Sequence, residues 1–293
     1  MGLVSSAVHL WEKRQVIAVA SNLPVPACRN ANRPVNYVPY PRSPLFQERP
    51  GEFERLEHLL FDPISGYPSH IRLVGMVGMG GVGKTQLAIQ LAYRFEKRFP
   101  SGVFWMPSTG NTFFEWQRQV AELAANAEYL PLDDDVSHPE NEVRRARRFS
   151  RYLASHADAL LILDHVEDPF LVTSALPILA GGEVSCTILY TSRKRMVPPG
   201  VIPYPVEQLP QKSALCLLLE TTRPLLLTEV LAGSQQTEAI AARTMCQGVG
   251  FLPLALVHLP TNCATRWKQE RVSRKIGLLE EEEYKASSQR RQM

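Results

Sequence analysis

Short apolar runs alternate with segments of helical period through the middle of this chain. Ile71-Arg72-Leu73-Val74-Gly75-Met76-Val77, Gly102-Val103-Phe104-Trp105-Met106, Ala159-Leu160-Leu161-Ile162-Leu163 and Thr187-Ile188-Leu189-Tyr190 are predicted strands. The third is apolar without interruption, as a parallel strand covered on both faces must be. Val201 to Val206 is predicted as a short edge strand because prolines interrupt it. Between the runs, Glu52–Phe61 carries apolar residues at 53, 56, 59 and 60, and Gln86–Phe95 at 87, 88, 91, 92 and 95. Both patterns predict helices, as do Phe113 to Tyr129 and Glu142 to Ser155. Strand and helix in alternation predict a parallel sheet with helices on both faces. From Gln208 to about Leu259 the strand pattern stops, and Gln211–Thr221 and Thr237–Gln247 read as helices of a small all-helical appendix.

The ends have a different composition. Pro24 to Pro44 holds six prolines and no acidic residue, which predicts an extended or disordered leader over residues 1–44. The stretch 263–293 is polar and charged, with Glu280-Glu281-Glu282-Glu283 between basic residues. The expected division is a leader at 1–44, an α/β domain at 45–206, a helical subdomain at 207–262 and a charged tail at 263–293. No internal repeat is present.

Composition narrows the class of protein. The chain is 45% hydrophobic and 21% charged, with a formal charge of +3. This suits a globular protein and is too weak a charge to argue for nucleic acid. Five cysteines are scattered with no C-x-x-C pair, a usage that fits a reducing compartment, hence a cytoplasmic location. No apolar run reaches the length of a membrane span. Met1-Gly2-Leu3-Val4-Ser5-Ser6 fits the loose N-myristoylation pattern at Gly2, and an ordinary start is the simpler reading. The helix at 142–155 holds Arg144, Arg145, Arg147, Arg148 and Arg151. A charged outer face is the favoured reading, with a nucleic-acid patch as the alternative. Asp133-Asp134-Asp135 reads as a solvated loop, because nothing beside it completes a metal cage.

The candidate chemistry begins at Gly78-Met79-Gly80-Gly81-Val82-Gly83-Lys84-Thr85, which fits the P-loop (Walker A) pattern G-x-x-x-x-G-K-[ST] at every fixed position. A triphosphate needs many short, rigid donors. Glycines let the backbone fold so that successive N–H groups face the phosphates. Lys84 adds positive charge, the Thr85 hydroxyl suits Mg²⁺, and the N-terminus of the following helix adds its dipole. The motif sits between a predicted strand and a predicted helix, as its mechanism requires. A second acid is needed at the end of a neighbouring apolar strand, and Asp164 directly ends Leu160-Leu161-Ile162-Leu163. It is the candidate metal acid with Thr85. Many ATPases place another acid next, whereas this chain has His165, with Glu167 and Asp168 just beyond. Slow turnover or none is the expectation. Arg193 ends the fourth strand in Thr191-Ser192-Arg193 and is positioned to sense a γ-phosphate. Lys84, Asp164 and Arg193 are thus the candidate catalytic residues.

Together these residues resemble the NB-ARC class of STAND nucleotide-binding proteins, over about Val38 to Leu256. Phe46-Gln47-Glu48-Arg49-Pro50-Gly51-Glu52-Phe53 resembles the family's opening motif F-V-G-R-x-x-E-L, with Gln47 and Glu48 in place of its valine and glycine. The P-loop with Gln86 and Leu87 after it is typical of the family, and Phe99 to Trp105 resembles its second strand. Leu161 to Asp168 is similar to the L-L-x-L-D-N-A-D-D form of members fused to tetratricopeptide repeats. Thr191-Ser192-Arg193 matches the sensor T-S-R, and Gly250-Phe251-Leu252-Pro253-Leu254-Ala255-Leu256 matches a variant of the GLPL motif. The resemblance implies an α/β P-loop NTPase three-layer fold with a parallel sheet, followed by a small helical (ARC1-like) subdomain. It implies that ADP or ATP is held with Mg²⁺ by Gly78, Gly80, Gly81, Val82, Gly83, Lys84, Thr85 and Gln86. Gln47, Arg49 and Pro253 are implied on the base side.

A nucleotide-dependent switch is the implied function, closed with ADP and open for self-association with ATP. His258 to Met293 resembles neither the winged helix nor the repeats that normally follow, and no N-terminal effector domain is recognisable. The expectation is a minimal nucleotide-binding protein or a truncated chain. The rivals are a P-loop ATPase with steady turnover, a decoy that binds full-length STAND relatives, and a non-functional fragment.

Overall fold

The computed structural model describes residues 36–63, 72–108, 110, 112–126, 139–222 and 237–259. Most of the predicted leader, Gly2 included, lies outside these residues, as do Asp133 to Asp135 and the charged tail. The chain divides into two compact units. The first holds residues up to Pro44 and Pro50–Glu207; the second holds Leu45–Arg49 and the chain from Gln208.

The first unit is built on six strands: β1 (Asn36–Tyr37), β2 (Leu73–Val77), β3 (Val103–Pro107), β4 (Leu160–Asp164), β5 (Thr187–Ser192) and β6 (Ile202–Pro205). Their order in the sheet is β1-β3-β4-β5-β2-β6, and every pairing is parallel. The predicted parallel α/β architecture is therefore present. β6 lies at one edge, where its prolines cost no ladder bond that a central strand would need. β1 closes the other edge by pairing Asn36 with Val103 and Tyr37 with Phe104. Residues 36–44, assigned from composition to the leader, are thus a placed part of this unit.

The helices are α1 (Glu52–Phe61), α2 (Lys84–Arg94), α3 (Phe113–Asn126), α4 (Pro139–Ser155) and α5 (Pro169–Ala180). Strand residues alternate between the two faces of the sheet. Phe104, Met106, Leu161, Leu163, Ile188 and Tyr190 pack in one core with Trp116 and Val120 of α3, Phe149 and Leu153 of α4, and Val172 and Leu176 of α5. Trp105, Ile162 and Leu189 have the opposite parity, and they are buried on the other face together with Leu87 and Leu91 of α2. Phe61 of α1 packs edge-on to Phe95 and tilted on Phe99, and the guanidinium of Arg98 sits 4.0 Å from the Phe61 ring centre.

The arginine-rich helix α4 is sorted by this packing. Arg144, Arg147, Arg148 and Arg151 are exposed, as an outer face predicts, whereas Arg145 is buried. Helix α5 is the element the sequence pattern did not single out. Its residues are apolar on every side and include Pro177, so no stripe marks it. Its ends carry the usual signals: Asp168 caps it by accepting from the Phe170 N–H, Pro169 occupies the first turn, and Gly181 follows in the left-handed region.

The second unit contains α6 (Gln211–Thr222), α7 (Thr237–Gly248) and a helical segment at 253–259. Its core is Leu209, Ala214, Leu215, Leu218, Ala242, Cys246 and Leu256. No strand occurs among its described residues.

One close contact in the sheet core is testable. A Cβ on Gly75 would stand 2.6 Å from the Tyr190 phenol carbon and oxygen. The Tyr190 hydroxyl is buried with no hydrogen-bond partner in the structure, and burial raises its pKa. Gly75→Ala should therefore lose about 1–3 kcal/mol through overpacking. Tyr190→Phe should gain about 1 kcal/mol by removing an unsatisfied polar group. Urea unfolding of the two variants measures both signs.

Candidate functional site

The residues between β2 and α2 make a loop that only glycine permits at key points. Gly81 and Gly83 have φ of 77° and 99°, a region where a side chain is strained. A Cβ on Gly78 would lie 2.5 Å from the carbonyl oxygen of Val206. That carbonyl cannot move freely, because the Val206 N–H donates to the Val77 carbonyl at 2.8 Å. The Gly78 N–H itself donates to the Ser192 carbonyl at 3.2 Å. The loop is thus held between β5 and β6.

Helix α2 begins at Lys84, with Gly83 as its cap residue and no side-chain cap. Its first-turn N–H groups have no partner further back in the helix, and the helix dipole points its positive end at the loop. Lys84 is buried, and its ammonium donates to the carbonyls of Gly78 at 2.9 Å and Met79 at 2.8 Å. These bonds fold the loop around the lysine. They leave the ammonium inside the arc where phosphate oxygens are stronger acceptors than the two carbonyls.

Asp164 ends β4 and is buried. Its Oδ1 accepts from the Thr85 hydroxyl at 2.9 Å and from the Thr191 hydroxyl at 2.6 Å. The strand carrying this acid does not pair with the P-loop strand; β5 lies between them, and Asp164 reaches the loop over Thr191. The expected adjacency of acid strand and P-loop strand is therefore replaced by a one-strand gap that Thr191 fills. Thr191 Oγ1 also accepts from the backbone N–H of His165 at 3.0 Å. His165 takes φ of 64°, and its Nδ1 lies 3.5 Å from Asp164 Oδ2 with the ring partly exposed. The Ser108 N–H donates to the Asp164 carbonyl at 2.6 Å.

The other acids considered from sequence have different roles or positions. Asp168 is the α5 cap, which uses its carboxylate structurally. Glu167 is exposed. Arg193 is exposed beyond β5, and its guanidinium is the nearest group to Gly80, 3.5 Å from where a Cβ would stand. The structure thus brings Gly78 to Thr85, Asp164 and Arg193 to the same carboxyl end of the sheet.

Val82 is buried and Gln86 exposed within the same loop and first turn. Gln47, Arg49 and Pro253 belong to the second unit. There the Gln47 side-chain amide donates to Glu220 at 2.9 Å, Arg49 is buried, and Pro253 opens the helical segment at 253–259.

The donor set suits a hard divalent cation. A hydroxyl that donates its proton to a carboxylate keeps its lone pairs for a metal, and the carboxylate keeps a second oxygen. Thr85 and Asp164 together therefore offer oxygen ligands of the kind Mg²⁺ takes, with water and phosphate completing its shell. No helix among the described residues is long and apolar enough to cross a membrane.

The NB-ARC domain matches residues 54–227, more than half of the chain. The chain belongs to the NB-ARC family. This places it among STAND-class P-loop NTPases, the nucleotide-binding proteins that its motifs resemble. Two relatives are the regulatory protein AfsR of Streptomyces coelicolor, 28% identical over 192 residues, and that of Streptomyces griseus, 28% identical over 194 residues. Each alignment covers 65% of this chain and 18% of the relative, so the chain spans less than a fifth of their length. Among solved structures, a STAND protein with a tetratricopeptide repeat sensor from Pyrococcus horikoshii is 15% identical with a TM-score of 0.42, covering 74% of this chain and 30% of that one. Cdc6p from Pyrobaculum aerophilum is 14% identical with a TM-score of 0.40, covering 81% and 67%.

The NB-ARC loop geometry separates two of its glycines. Gly78→Ala meets a backbone carbonyl and should cost about 1–3 kcal/mol. Gly80→Ala meets only the end of a flexible arginine and should stay within about 0.5 kcal/mol. Thermal unfolding of both variants, without nucleotide, checks the ordering.

Proposed function

We propose that this NB-ARC domain binds ADP or ATP with Mg²⁺ and works as a nucleotide-dependent switch rather than as a fast ATPase. The observation that carries the reading is the Asp164 carboxylate, which accepts from Thr85 at the P-loop helix and from Thr191 on β5. In this reading the glycine loop and the α2 N-terminus hold the phosphates, Lys84 neutralises the β- and γ-oxygens, and Thr85 and Asp164 hold Mg²⁺. Mg²⁺ supplies charge neutralisation between the phosphates. Arg193, beside Gly80, reads the γ-phosphate. The family motifs assign Gln47, Arg49 and Pro253 to base recognition.

Slow hydrolysis follows from the residue after Asp164. His165 carries no carboxylate to take a proton from attacking water, and Asp168 is engaged as a helix cap. Binding energy is then available to bias two conformations rather than to drive turnover. The ATP-bound form would favour self-association or association with full-length STAND relatives, in signal transduction in the cytoplasm. The described cysteines Cys186, Cys216 and Cys246 are free thiols, which fits that compartment.

The test is the nucleotide released when purified full-length chain is denatured. ADP or ATP in near-equal molar ratio is expected, and Lys84→Ala should reduce it at least tenfold. Calorimetry should show that Asp164→Ala removes the dependence of binding on Mg²⁺. A folded wild-type chain that carries no nucleotide and takes up none would overturn the reading.

A further inference from the structure

The residues just before the second unit begins run along the α2 side of the sheet. After β1, the Tyr93 hydroxyl of α2 donates to the Tyr40 carbonyl at 3.0 Å. Arg42 Nε donates to the Gln90 side-chain oxygen at 2.9 Å, and the Gln90 amide donates back to the Ser43 carbonyl at 3.5 Å. Gln90 is buried although polar, so these bonds are what satisfies it. The Tyr40 ring stands edge-on to Trp105 with centroids 5.4 Å apart. Four contacts therefore tie residues 40–43 to the P-loop helix and to β3.

This places the Tyr40 ring on the sheet face that carries the metal acid. Trp105 pairs with Ile162 and Pro107 with Asp164. Ile162 and Asp164 have the same strand parity as Trp105, so all three side chains project on the α2 face. A ring standing on Trp105 therefore shares the sheet face of Asp164, which lies one strand over and two residues further along. The charge environment agrees: burial pushes the Tyr40 phenol up to about 12, and the Asp164 carboxylate adds to the rise. The phenol is thus a neutral donor throughout the physiological range.

We infer that Tyr40 is a positioning residue of the Mg²⁺ site, its phenol O–H donating to the Asp164 carboxylate or to the metal's water shell when Mg²⁺–nucleotide is bound. The inference rests on the nucleotide-binding reading above. It gives the segment 36–43 a function that its proline-rich composition does not suggest. The segment links the site's metal side to the backbone that enters from the N-terminal direction, because Tyr40, Arg42 and Ser43 are fastened to the helix whose first turn holds Lys84 and Thr85.

The test uses full-length chain and Tyr40→Phe, which keeps the ring on Trp105 and removes only the hydroxyl. ADP affinity is measured by calorimetry across a Mg²⁺ titration and again in EDTA, with melting temperature measured alongside. The expected result is a Mg²⁺ midpoint raised about tenfold, the scale of one lost hydrogen bond to a charged group, with affinity in EDTA and the ligand-free melting temperature unchanged. Tyr40→Ala should add a lower melting temperature, because it also strips the Trp105 contact. An unchanged Mg²⁺ midpoint in Tyr40→Phe overturns the inference. So does an equal loss of affinity in Mg²⁺ and in EDTA, which would mark a packing role alone. A wild-type chain that binds no ADP in either condition overturns the nucleotide reading itself, and this inference with it.

Discussion

A single buried carboxylate oxygen sets the geometry of the site. Asp164 Oδ1 accepts two hydroxyls from opposite directions, Thr85 at the start of α2 and Thr191 on β5. A buried charge is costly unless hydrogen bonds satisfy it, and these two bonds do so with neutral partners. Because neither partner cancels its charge, the carboxylate keeps its attraction for a cation.

That constraint explains the rest of the arrangement. The acid is one strand removed from the P-loop, so it needs an intermediary, and Thr191 occupies the strand between at the position with the correct parity. Thr191 also accepts from the His165 N–H, which fixes the chain where it leaves β4 with φ positive. The next helix then starts from Asp168 as its cap. Sheet order, strand parity and the turn after β4 together hold Asp164 against Thr85. The glycines do the complementary work on the other side, with Gly78 pressed against Val206 and Gly81 and Gly83 in conformations closed to other residues.

How much of this was legible before the structure depends on how local the signal is. The strands β2 to β6 and the helices α1 to α4 are marked by their own periodicity, and the P-loop and Asp164 by a motif and by an acid ending an apolar run. Helix α5 is not, because its exposed face carries Phe170 and Ile178 as well as Ser174 and so shows no polar stripe opposite the buried one; only Asp168-Pro169 and Gly181 mark its ends. Strand β1 is two residues long inside a proline-rich stretch, and its pairing with β3 depends on an edge that no local pattern reveals. Thr191 was visible as part of a T-S-R sensor, yet its bond to Asp164 needs the strand order, which sequence spacing does not supply. Residues 133–135, the leader before Asn36 and the tail fall outside the described residues.

The same contrast bears on what kind of NTPase this geometry suits. Hydrolysis needs a group that orients water at the γ-phosphate. The chain uses Asp168 as a helix cap, leaves Glu167 exposed, and places at 165 a ring whose Nδ1 lies 3.5 Å from Asp164 Oδ2. Near that acid it adds instead an aromatic donor fastened to the P-loop helix. On the switch reading proposed above, a metal acid satisfied by two neutral hydroxyls would serve to recognise whether a phosphate and its cation are present. Recognition alone biases a two-state element when the two states bind the ligand differently; in the proposed switch, the bonds between α2 and Tyr40, Arg42 and Ser43 would be the contacts that carry such a bias from the site.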